Sequence, residues 1–236
     1  MPVILKAKLT KKQNLAGNYW LFGLSFQNQY DFVAGQYVSV KVLLDGTRRS
    51  YSISSAPDGN TIEILIDVTP GGVGSKYLLS LNVGDEVEAR GPMGTFTLAS
   101  KDPKPNRMFI ATGSGISPIR AMVTASLHKK MSPGEVRLLW GMRHENDLFW
   151  QEEFVQMNRE FPNFSYQVVL SKPGDHWHGE CGHVGDCLRN GFIVHERDLK
   201  SWEFFLCGSQ EMIMETGAYL ASQGVVRENI HFEKFF

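Results

Sequence analysis

Cysteine is scarce in this 236-residue chain: Cys181, Cys187 and Cys207 are the full set, and no Cys-x-x-Cys occurs. An odd number without paired spacing argues against a disulfide scaffold and against an iron–sulfur centre held by four thiolates. Long apolar runs are missing as well. No stretch approaches the roughly 18 apolar residues of a membrane span, and Met1-Pro2-Val3-Ile4-Leu5 falls short of the about 7 to 15 apolar residues of a signal-peptide core. These absences predict a soluble, cytoplasmic protein with no membrane span. Neither sign of charge is in excess: 24 Lys and Arg stand against 25 Asp and Glu, a net −1, so no global positive field exists to hold nucleic acid or an anionic membrane. Internal repeats and low-complexity tracts are also lacking. What the chain does have is bulk, with 42% hydrophobic residues including 15 Phe, 7 Tyr and 5 Trp, which excludes disorder of the whole and supplies real cores. Its length falls between one domain and two, and two compact units are expected.

The periodicity changes partway along. Up to about Leu98, short apolar runs alternate with turn residues. In Ile62-Glu63-Ile64-Leu65-Ile66-Asp67-Val68 the residues Ile62, Ile64, Ile66 and Val68 stay in phase, as they do when a strand points successive side chains to opposite faces. Further strands are expected at Ile4–Leu9, Tyr19–Phe26, Tyr37–Val42, Arg49–Ser54 and Glu86–Ala89, separated by turns such as Asp45-Gly46, Asp58-Gly59 and Gly71-Gly72. Six short strands in this span predict a small closed antiparallel barrel. Lys101-Asp102-Pro103-Lys104-Pro105-Asn106 reads as a linker, which sets expected domains of 1–100 and 101–236. Strands then alternate with helices: Met108–Ala111, a helix over Pro118–Lys130, Val136–Trp140, a helix over Gln151–Glu160, Ser165–Leu170, a short helix over Val184–Asn190, Phe204–Cys207, a helix over Gln210–Ser222, and Ile230–Glu233. That rhythm predicts a parallel sheet covered on both faces, with a ligand crevice at the carboxyl ends of its strands.

Four local patterns carry chemistry, and each has a plainer reading. Thr112-Gly113-Ser114-Gly115-Ile116-Ser117-Pro118 follows an apolar strand and opens a helix. Its glycines admit a phosphate to free backbone N–H groups, and Pro118 suits the first turn, where no N–H is needed; an ordinary strand-to-helix turn would look similar. Arg49, Tyr51 and Ser52 in one strand offer a cation, a flat ring and a hydroxyl, or simply a half-exposed strand with a surface Arg and a core Tyr. Gly72-Val73-Gly74-Ser75 is a second glycine turn feeding a helix, an anion seat or a flexible turn with Ser75 as a cap. His176, His178, Cys181 and His183 are good zinc-ligand types, but their spacing fits no standard template and equally suits a surface connection, so no metal site is predicted.

Taken in order, Arg49-Ser50-Tyr51-Ser52, Gly72-Val73-Gly74-Ser75, Gly113-Ser114-Gly115-Ile116-Ser117-Pro118, Cys207-Gly208 and the ending Phe232-Glu233-Lys234-Phe235-Phe236 resemble the ferredoxin–NADP reductase superfamily. In detail they are most similar to the flavin and nicotinamide modules of bacterial oxygenase reductases, and the likeness covers nearly the whole chain. The resemblance implies an antiparallel flavin-binding barrel followed by a parallel-sheet nucleotide-binding domain, with FAD as cofactor and NAD(P)H as co-substrate. It further implies that Tyr51 lies against the isoalloxazine, that Ser52 hydrogen-bonds near flavin N5, and that Arg49 and the amides around Gly74 and Ser75 take the FAD pyrophosphate. Ile66, Val68, Gly72 and Val73 belong to the same cofactor-binding set. Thr112, Gly113, Gly115 and Pro118 would receive the NAD(P) pyrophosphate. After the second strand of the α/β half, Arg143 offers a cation for a 2′-phosphate and Ser171-Lys172 offers another; a solvated surface charge is the plainer reading of each, and neither excludes NADH. Cys207, with Gly208 allowing close approach, would sit beside the nicotinamide, and Glu233 near the reacting centre. Ser52, Cys207 and Glu233 are thus the expected catalytic set, and Phe235 or Phe236 would cover the second flavin face. Electrons would leave to a separate acceptor, a ferredoxin, an oxygenase component or a small molecule. The alternatives are a reductase of free flavin and a non-catalytic electron-transfer subunit.

Overall fold

The protein is seen here as a computed structural model that describes residues 3–98, 105–128, 134–192 and 199–234. Its first half contains β1 (Val3–Ala16), β2 (Tyr19–Phe26), β3 (Tyr37–Lys41), β4 (Arg48–Ser52), β5 (Thr61–Asp67), helix α1 (Val73–Ser80) and β6 (Glu86–Met93). The strands pair antiparallel in the order β4-β3-β6-β1-β2-β5. Ile53, the residue after β4, bridges Ile64 of β5 and closes the sheet on itself. Leu9, Phe22, Leu24, Val38, Ile53 and Ile62 fill the interior without measurable exposure.

Two features of this half differ from the sequence expectation. Strand β1 runs to Ala16 rather than stopping near Leu9, through Thr10, Lys11, Lys12, Gln13 and Asn14. Val3 to Lys6 pair with β6 alone, Ala7 and Lys8 with both neighbours, and residues beyond Lys8 with β2 alone, so polar side chains are tolerated there and hide the strand. Strand β5 keeps Ile62, Ile64 and Ile66 buried as its phase requires, yet Leu65 is buried as well. The reason lies outside the barrel: Leu65 and Leu21 project into the core of the second half.

That second half begins with β7 (Asn106–Thr112), a 3-10 turn (Gly113–Gly115) and α2 (Ile116–His128). It continues with β8 (Val136–Met142), α3 (Gln151–Glu160), β9 (Phe164–Leu170), β10 (Glu180–Cys181) and α4 (Val184–Cys187), then β11 (Trp202–Gly208), α5 (Gln210–Ser222) and β12 (Ile230–Lys234). All strands are parallel, in the order β10-β9-β8-β7-β11-β12. The order reverses between β7 and β11, which opens a crevice outside their carboxyl ends. Alternation along β7 sends Phe109 and Ala111 to the α2 and α3 face, and Met108 and Ile110 to the α4 and α5 face. Helix α2 is buried along most of its length because the sheet lies on one side and Leu21, Ala34, Leu65, Phe96 and Leu98 of the first half lie on the other.

The expected helix over Val184–Asn190 is α4 for four residues and then loosens into a π-helical turn over Leu188–Phe192. The two-residue β10 lies in the His- and Cys-containing connection and is too short to show a period. Lys101 to Lys104 of the expected linker, the boundary at 100/101, and Phe235 and Phe236 lie outside the described residues. Among the described residues, no helix is long and apolar enough to cross a membrane.

Candidate functional site

On the barrel side, β4 presents Arg49 and Tyr51 to the first turn of α1. A Cβ on Gly74 would collide with the Tyr51 hydroxyl and stand 2.9 Å from Arg49 Cγ, so only glycine lets the helix start pack onto this strand. Gly72 is the N-cap and supplies no side chain to the first-turn amides. Ser75 is not that cap: it lies three residues in, and its Oγ donates back to the Gly72 carbonyl at 3.2 Å. At the other end of α1, Lys12 of β1 donates to the carbonyls of Leu79 (2.5 Å) and Leu81 (2.9 Å). The start of α1 is therefore an amide-rich seat with Arg49 beside it, and the guanidinium is in no ion pair among the described residues. Burial, partly offset by Arg49, pushes the Tyr51 phenol up to about 12 and keeps it neutral. Ile66 is buried and Val68 half-buried at the end of β5, while Val73 is exposed at the start of α1.

On the sheet side, Thr112 to Gly115 turn from β7 into α2. Gly113 takes the left-handed conformation (φ +54°), which favours glycine. Its carbonyl accepts from Trp140 Nε1 at 3.1 Å, which fixes the loop on the buried indole. A Cβ on Gly115 would strike the Cys207 carbonyl, and one on Gly208 would strike Thr112 Oγ1, so the β7 and β11 ends approach as closely as backbone permits. Thr112 Oγ1 accepts from Ser209 N at 3.1 Å across that gap. Pro118 is buried in the first turn of α2.

The two sides meet at β4, β11 and β12. Ser117 of α2 donates to the Ser52 carbonyl at 2.9 Å, and Ser52 Oγ donates to Glu233 Oε2 at 3.1 Å. Cys207 pairs in register with Glu233 on the neighbouring strand. Burial, reinforced by Glu233, pushes the Cys207 thiol well above its usual range, so it is a neutral packing group and not a thiolate. Burial also raises the Glu233 carboxyl, against the hydrogen bond from Ser52. Ser52, Cys207 and Glu233, 181 residues apart at their extremes, thus converge on one seam.

Beside this seam lies a cleft of about 360 Å³ lined by Thr112, Gly113, Arg143 and Gly208. Its walls also include Tyr19, Asp67, Ser114, His183 and Ser209, which the motif reading did not assign to this site, and Ser171, which it offered with Lys172 as a second seat for a 2′-phosphate. Ser114 and Ser209 adjoin motif residues, so spacing alone pointed towards them, and Ser171 directly follows a parallel strand. Tyr19 and Asp67 belong to the barrel and carry no local signal. In the connection before α4, His176, His178 and Cys181 are exposed and His183 is the N-cap of the helix. No three His, Cys, Asp or Glu side chains cluster as metal ligands among the described residues.

This arrangement suits two dinucleotides. Two glycine loops open onto helix starts, the geometry that receives a diphosphate. A half-buried phenol offers a ring face on the barrel side, and the cleft is of the size that holds a cofactor half.

The comparisons agree with that chemistry. Residues 6–98 match the family of oxidoreductase FAD-binding domains, and residues 109–217 that of oxidoreductase NAD-binding domains. Ferredoxin–NADP reductase B of Sorangium cellulosum (strain So ce56) is 32% identical over 212 residues, 86% of this chain and 85% of that protein. The toluate 1,2-dioxygenase electron transfer component of Pseudomonas putida is 31% identical over 211 residues, 88% of this chain but 60% of its own length. Among solved structures, the Amycolatopsis cytochrome P450 reductase GcoB superposes with a TM-score of 0.89 at 29% identity, covering 99% of this chain and 70% of that one.

Proposed function

Because this chain belongs to the ferredoxin–NADP reductase superfamily and is an FAD- and NAD-binding oxidoreductase, we propose that residues 1–100 hold FAD, that residues 101–236 receive NAD(P)H, and that electrons pass to a separate protein acceptor, a ferredoxin or an oxygenase component. FAD, held by Arg49, Tyr51 and the α1 amides, would supply the redox chemistry, that of a hydride acceptor able to give up electrons singly. The chain's own residues set position. Tyr51 offers its ring to the isoalloxazine, Arg49 and the α1 amides neutralise the FAD diphosphate, and the Gly113 loop takes that of the coenzyme. Ser52 Oγ directs its proton to Glu233 Oε2 across the seam, and neutral Cys207 forms the floor on the nicotinamide side. Stacked rings react only at near-attack separation, roughly 3 to 3.5 Å, so small shifts of these groups alter the rate.

The observation that carries the reading is the Ser52 to Glu233 hydrogen bond, 3.1 Å, because it joins the barrel strand of the flavin motif to the strand beside Cys207. Delivery to a protein acceptor is supported by relatives named as a ferredoxin reductase and an electron transfer component. A seat for the full FAD diphosphate favours retained FAD over flavin used as a passing substrate.

The test is an absorbance spectrum of the purified protein, then anaerobic titration with NADH and NADPH separately, then turnover with a ferredoxin and cytochrome c. A flavin spectrum bleached by a nicotinamide coenzyme, with cytochrome c reduction that depends on ferredoxin, is expected. A colourless protein that turns over added FMN would make it a reductase of free flavin. Retained flavin that neither coenzyme bleaches would make it a non-catalytic subunit.

A further inference from the structure

The coenzyme cleft borrows part of its wall from the other half of the molecule. Tyr19, the first residue of β2, and Asp67, its register partner at the end of β5, line it together with Thr112, Gly113 and Ser114. We propose that Tyr19 is a ligand of the coenzyme diphosphate, donating its phenolic hydrogen to a phosphate oxygen above the Gly113 loop.

Three observations support this. The ring is fixed, lying against Phe149 at 5.0 Å between centroids. The hydroxyl stands over the loop: a side-chain carbon built on Gly113 would lie 3.5 Å from Tyr19 Oη, so the glycine keeps the space beneath the phenol clear. The loop cannot drift away, because Trp140 Nε1 holds the Gly113 carbonyl.

The chemistry also selects this group. Among the described residues, the Tyr19 hydroxyl donates to no protein acceptor. Burial first, and then Asp67 and Asp147, push its pKa up to about 12, so it remains a donor at any working pH. Asp67 cannot play the same part. It is an acceptor whose Oδ1 is already engaged by Thr69 N at 2.8 Å and Thr69 Oγ1 at 2.5 Å. A phenol O–H facing the Gly113–Gly115 turn, whose start has no side-chain cap, completes, from the opposite wall, the donor set that the loop amides begin.

This inference rests on the reading that the cleft takes NAD(P)H, and the experiment separates the two. FAD-loaded Tyr19→Phe, which keeps the ring and its contact with Phe149, is compared with the wild-type protein. Binding of NADH, NADPH, ADP-ribose and adenosine is measured by calorimetry, alongside FAD content and melting temperature. The expected result is about ten-fold weaker binding of the preferred coenzyme and of ADP-ribose, the effect of one hydrogen bond to a charged acceptor. Adenosine binding, FAD content and melting temperature stay at the wild-type values. Equal affinity of the two proteins for ADP-ribose overturns the assignment of Tyr19 alone, and so does a matching loss for adenosine. Failure of the wild-type protein to bind either coenzyme overturns the reading of the cleft itself.

Discussion

Glu233 shows how one side chain can be held against its solution preference. It lies mostly out of water beside neutral Cys207, with Ser52 as its hydrogen-bond donor, and burial raises its carboxyl pKa. A raised acid contributes most stability while it is protonated, and that contribution is lost as pH rises through the folded-state value. Glu233→Gln keeps the neutral shape at every pH. Thermal melts of the two proteins between pH 4.5 and 8 should therefore nearly coincide at the acid end, with the variant melting higher at the alkaline end. A gap that does not widen with pH would show that the carboxylate is well solvated. At this scale the local patterns around Arg49, Tyr51, Ser52, Gly74 and Gly113 could be read from the sequence, and Cys207 entered through the family resemblance; the structure sets Ser52, Cys207 and Glu233 on one seam. Tyr19 and Asp67 were not legible, because they reach the cleft only through strand pairing across the barrel.

At the scale of elements, α1 is the instructive case. It has eight residues and no side-chain N-cap, so it is short of the length at which a helix holds itself in water. Besides the packing of Leu78 and Leu81 into the barrel core, the cation of Lys12 on its last carbonyls secures it. A positive charge at that end complements the helix dipole, whose positive end faces the proposed FAD diphosphate seat. Lys12→Met retains the aliphatic stem. It should cost about 1 to 2 kcal/mol in urea unfolding and loosen FAD several-fold in a fluorescence titration. Unaltered FAD retention would mean that apolar packing alone sets the helix. The sequence hid this strap, because Lys12 sits in a polar stretch that did not read as a strand at all. The helices Gln151–Glu160 and Gln210–Ser222, by contrast, begin and end at the expected residues. Their amphipathic periods run to full length, and Ser209 caps the second by accepting from Met212 N.

Across the whole molecule, the halves are joined by more than the chain. Arg120 of α2 donates to Glu63 of the barrel at 2.9 Å, to the Ser54 carbonyl at 3.2 Å and to Glu153 of α3 at 2.8 Å, while its guanidinium covers the Trp150 ring. Burial alone would raise the Glu63 carboxyl, but Lys11 and Arg120 outweigh it and hold the group below the usual range. Arg120→Met leaves two partly buried carboxylates short of a partner. It should destabilise by about 2 to 3 kcal/mol, measured by chemical denaturation, and slow flavin reduction at saturating coenzyme without loss of bound FAD. Unchanged reduction would show that the seam is set elsewhere. The two-part architecture was readable from periodicity, because a period of two gives way to strand–helix alternation. The contact between the parts was not, because Leu21 and Leu65 look like ordinary barrel residues until α2 is seen lying over them. For anyone recombining such reductases, this outer wall of the barrel has a practical meaning. A crossover placed in the connecting segment would separate α2 from the surface that shaped it, so functional hybrids should come from parents that match at Leu21, Ala34 and Leu65 rather than from those sharing the most similar linker.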